Sequence, residues 1–79
     1  MEVVGYEAKR FVLRFNEGEE LYGFKFDVNV LKNNDSEEWV EIFQADDCDG
    51  GTEANKLVLS APLSEVVELL EKMLAFLRR

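Results

Sequence analysis

The residues of this sequence best placed to do chemistry are carboxylates. Between Asn33 and Asn55 stand eight acidic residues and no base: Asp35, Glu37, Glu38, Glu41, Asp46, Asp47, Asp49 and Glu53. The whole chain carries a net charge of −8, and the segments on either side of this stretch cancel each other, so the acidity is local. Clustered carboxylates can work as an acid–base pair, hold a hard cation, or present a negative surface to a basic partner. The cation option is tested by spacing. Asp47, Asp49 and Gly50 match the middle of a calcium loop, but Ala45 stands where the first ligand belongs and Lys56 where the bidentate Glu belongs. The pattern fails, and no metal site is expected.

What the sequence lacks narrows the chemistry further. It has no histidine and a single cysteine, Cys48. A Ser-His or Cys-His pair, a histidine metal centre and an internal disulfide are therefore excluded. Asp47 and Asp49 flank Cys48 and oppose a thiolate, which makes it a poor nucleophile. No catalytic or cofactor motif is present, and the chain is expected not to be an enzyme and to need no cofactor. The third option remains: a docking surface of Asp35, Glu37, Glu38, Asp46, Asp47, Asp49 and Glu53, which steers a basic protein partner and imitates the spaced phosphates of nucleic acid. In size and acidity the chain resembles inhibitors that phages and mobile elements direct against nucleases and surveillance complexes.

The elements that must carry these residues are legible from hydrophobic period. Alternation over residues 6–16 predicts a strand with Phe11, Leu13 and Phe15 on one face and Arg10, Val12 and Arg14 on the other. Asn16-Glu17-Gly18-Glu19 predicts a tight hairpin, and residues 20–31 return as a second strand with Tyr22, Phe24, Phe26, Val28 and Val30 on one face. Asn33-Asn34-Asp35-Ser36 predicts a turn before a third strand over 37–45, whose Val40 and Ile42 face the core. Residues 46–53 read as a loop. A fourth strand over 55–60 turns Leu57 and Leu59 inward and Lys56 and Val58 outward.

The period then changes to 3.6. Leu63, Val66, Val67, Leu70, Met73, Leu74 and Leu77 fall on one helical arc, with Leu70 and Leu74 at its centre, Ser60 as N-cap and Pro62 in the first turn. Leu69 and Phe76 widen the arc beyond what one contact with a sheet requires. The expected fold is α+β: a four-stranded antiparallel sheet followed by one C-terminal amphipathic helix packed on one face, in a single domain spanning 1–79. The long hairpin overhangs such a helix, and the apolar surplus predicts a homodimer.

On this facing, the sheet side away from the helix interleaves Arg10, Arg14, Lys25 and Lys56 with Trp39 and Phe43. Cations for phosphates and rings for bases are the parts of a single-stranded nucleic-acid platform. The order of four strands and one helix is similar to that of the PC4-like and PUR-repeat single-strand binders. That likeness implies a nucleic-acid-binding homodimer, the alternative to an acidic interaction module. No apolar run approaches the length of a membrane span, no signal peptide is evident, and a cytoplasmic protein without membrane contact is expected.

Overall fold

Alternating apolar residues and two polar turns fold back into adjacent antiparallel strands. The computed structural model, which describes residues 2–47 and 55–79, contains four of them and one helix: β1 (Gly5–Glu17), β2 (Glu20–Lys32), β3 (Glu38–Asp46), β4 (Lys56–Pro62) and α1 (Leu63–Leu77). The sheet order follows the chain, β1-β2-β3-β4, with every neighbouring pair antiparallel. The expected ββββα arrangement is the observed one.

The turns close as their residues require. Gly18 takes a φ of 62° between Glu17 and its partner Glu20, a backbone state that costs glycine nothing. In the β2–β3 turn, Asn33 Oδ1 accepts hydrogen bonds from the backbone N–H of Asp35 and of Glu37, each at 3.0 Å. Ser36 adopts a φ of 63° inside that brace.

Residues directly opposed across strands share a face, so register sorts the side chains. Val30, Val40 and Ala61 form one row and Val28, Ile42 and Leu59 the next, with Phe11 and Phe26 further along the same face. The other face carries Arg10, Asp27 and Phe43 in one row and Leu31, Trp39 and Pro62 in another. The β3–β4 register shifts between Ile42 and Phe43: Leu59 opposes Ile42, but Leu57 opposes Phe43. Val58 is the extra residue of a bulge, and a bulge reverses the alternation beyond it. Leu57, expected inward, therefore joins the Phe43 row, and Lys56, expected outward, joins Gln44 on the opposite face.

The helix meets the sheet along β3 and β4. The two best-covered side chains, Val40 at 2% exposure and Val66 at 3%, mark that contact. Beyond its first turn, α1 is uncovered, with Leu70 51% and Leu74 45% exposed, so the arc expected to be buried at its centre is buried only at its start. Pro62 is the cap residue and no side chain caps the helix. Ser60, the expected cap, lies in β4, where its hydroxyl accepts a hydrogen bond from the Trp39 indole at 2.8 Å. Among the described residues no helix is long and apolar enough to cross a membrane.

Candidate functional site

Among the described residues the acidic stretch does not form one surface, because β3 runs through it. Asp35, Glu37 and Glu38 lie at the end where β2 turns into β3, and Asp46 lies at the other end of the strand. Eight residues of extended chain put about 27 Å between Glu38 and Asp46. Asp49 and Glu53, together with Cys48 and Gly50, lie outside the described residues.

At the turn end the carboxylates border an open cavity of about 470 Å³. Glu2, Asp35, Glu37 and Glu38 line it with Asn33 and Asn34, and Trp39 and Pro62 supply its apolar wall. Among the described residues no Lys or Arg lines it. Asn33 holds Glu37 in place, its amide donating to Glu37 Oε1 at 3.2 Å while its backbone N–H bonds the Glu37 carbonyl at 3.1 Å. The arrangement is chemically suited to a guanidinium or ammonium group: carboxylates supply acceptors, and an aromatic and proline wall accepts an apolar stem.

At the far end Asp47 has a different task. Its carboxylate accepts a hydrogen bond from Arg14 Nε at 2.6 Å and lies 3.8 Å from the Lys25 ammonium. Its backbone N–H bonds the Gly23 carbonyl at 2.9 Å. Asp47 therefore continues the strand pairing past β3 and ties that end to the hairpin, which corrects its expected place in a free acidic loop. Asp46 is exposed beside it.

The cations of the expected nucleic-acid face are largely matched within the sheet. Arg10 grips Asp27 through two hydrogen bonds, Nε to Oδ1 at 2.7 Å and Nη2 to Oδ2 at 3.2 Å. Asn55 adds a third donor to Asp27 at 3.0 Å. Hydrogen bonding from Arg10 holds the Asp27 carboxyl below its ordinary range against the opposing effect of desolvation. Hydrogen bonding from Arg14 does the same for Asp47. The Asp27 and Asp47 side chains are only 22% and 17% exposed, so the two acids sit within the face while the arginines reach over them.

The face thus brings together Arg10, Arg14 and Lys25, with Phe43 in the Arg10 row, but pairs each of these three cations with an aspartate. Trp39 has its indole N–H engaged by Ser60, and Lys56 lies on the opposite side. Asp27, the partner of Arg10, was not among the residues expected to matter on this face; the direct opposition of the two positions across the hairpin was the available signal. Among the described residues no three His, Cys, Asp or Glu side chains are grouped to hold a metal ion. Comparison with family models, with curated proteins and with solved structures finds no match to this chain.

Proposed function

We propose that this chain is a small non-enzymatic interaction module that docks on a basic surface of another protein through the turn end of its sheet. One observation carries the reading: Glu2, Asp35, Glu37 and Glu38 line an open cavity walled by Trp39 and Pro62, with no base among the described residues that line it. A partner's arginine or lysine inserted there exchanges water for carboxylate acceptors and lays its stem on the apolar wall. The surrounding negative field speeds the encounter and makes it salt-dependent.

The nucleic-acid alternative is weaker on this geometry, since Arg10, Arg14 and Lys25 already face aspartates and phosphates would have to displace them. Calorimetric titration of an arginine-rich peptide at low salt tests the proposal, with Asp35→Asn/Glu37→Gln/Glu38→Gln as the control variant. Binding by the wild type and a loss of at least about tenfold in the variant are expected. Equal binding by both proteins would contradict the assignment of the site.

A further inference from the structure

We infer that a second copy of this chain completes the fold, the α1 helix of each protomer lying over the β1–β2 hairpin of the other. The hairpin carries an apolar face that none of the described residues of the single chain covers. Phe11, Leu13, Phe15 and Tyr22 are exposed, and Phe15 stacks on Tyr22 and Phe24 at centroid distances of 5.4 and 6.3 Å. The helix is a matching apolar element uncovered beyond Val66. The tip of its own hairpin is out of reach. α1 starts beside Pro62, level with Leu31 and Tyr6, and Phe15 lies nine residues further along β1, about 31 Å away. Fifteen helical residues span only about 22 Å.

The size of the surplus fits a dimer. A compact chain of 9.1 kDa exposes about 4,900 Å², whereas this one exposes 6432 Å². The difference is roughly twice the 800 Å² that each partner buries in a standard interface. The radius of gyration, 15.3 Å, likewise exceeds the about 12 Å of a compact domain of this length. Charge selects the occupant and its direction. The hairpin tip carries Glu17, Glu19 and Glu20, and the helix ends in Arg78 and Arg79. Among the described residues neither arginine meets a carboxylate within 4 Å. A partner helix running with its C-terminus toward the tip brings the two arginines to the three acids, and a two-fold axis repeats the contact.

Sedimentation equilibrium at micromolar concentration tests this with two charge-reversed variants, Arg78→Glu/Arg79→Glu and Glu17→Lys/Glu19→Lys. All four positions are exposed, so neither variant disturbs the fold. The wild type is expected to be a dimer and each variant alone to dimerise at least about tenfold more weakly. An equimolar mixture of the variants is expected to recover a mixed dimer, because both helix–hairpin contacts then regain opposite charges. A wild-type monomer throughout the range, dimers indifferent to the reversals, or a mixture that fails to recover would each overturn the inference. So would a monomer whose apolar surfaces instead bind phosphatidylcholine vesicles.

Discussion

Arg10 and Asp27 stand directly opposite each other on β1 and β2 and are joined by two hydrogen bonds, at 2.7 and 3.2 Å. The bidentate pair occupies the middle of the face that would otherwise offer a guanidinium to phosphate. Asp27→Asn removes the charge and keeps the shape. Fluorescence anisotropy with labelled single-stranded DNA at low salt should show weak binding by the wild type and about three- to tenfold stronger binding by the variant, with a steeper salt dependence. Unchanged binding would mean that Asp27 does not restrain this face.

Acid should weaken the fold through the same aspartates. Both Asp27 and Asp47 titrate below their ordinary value because arginines hydrogen-bond their charged forms. The folded state therefore binds fewer protons than the unfolded chain over that interval. The resulting stabilisation is complete above the ordinary aspartate value of about 3.9 and is lost as pH falls through the lowered folded values. Urea melts from pH 7 to pH 2 should show this loss, and Asp27→Asn/Asp47→Asn should show less of it.

Gly23 is expected to resist substitution. A Cβ there would lie 2.6 Å from the Asp47 carbonyl oxygen and 3.1 Å from the Asp47 Cβ, and the approach is fixed by the backbone bond between the two residues. Gly23→Ala should cost about 1 to 3 kcal/mol in urea melts. A neutral effect would show that the end of β3 can leave the hairpin freely.

The helix should respond unevenly to truncation. Val66→Ala removes atoms from the covered seat of α1 and should cost about 2 kcal/mol. Leu70 is half exposed in the single chain, so Leu70→Ala should cost less than about 1 kcal/mol in dilute protein. Its cost should rise with protein concentration when a second copy covers the helix. Comparing the two variants across a hundredfold range of concentration separates these contributions.

Local chemistry made the elements readable before the structure. Gly18 and the Asn33 turn are where the backbone needs them, and the change of period after Ser60 marks the passage from strand to helix. What stayed hidden depends on register and on length in space. The bulge at Val58 exchanges the faces of Leu57 and Lys56, and no residue type in 55–60 announces it. Asp35 and Asp46 look like members of one acidic run, yet a nine-residue strand stands between their two ends. Asp47 reads as a loop carboxylate until pairing sets it against Arg14, thirty-three positions earlier. The helical arc showed that Leu70 and Leu74 need a partner without showing that the partner is absent from their own sheet.

The acidic cavity is proposed to receive a cationic side chain. Trp39 is the single tryptophan of the chain and forms part of the cavity wall, so its fluorescence reports occupation directly. Titrating an arginine-rich peptide at low salt should change Trp39 emission saturably, and Asp35→Asn/Glu37→Gln/Glu38→Gln should abolish the change. Single-stranded DNA carrying as many negative charges as the peptide has positive ones should leave the emission unaltered. A response of Trp39 to DNA but not to the peptide would overturn the assignment of this cavity to a cationic partner.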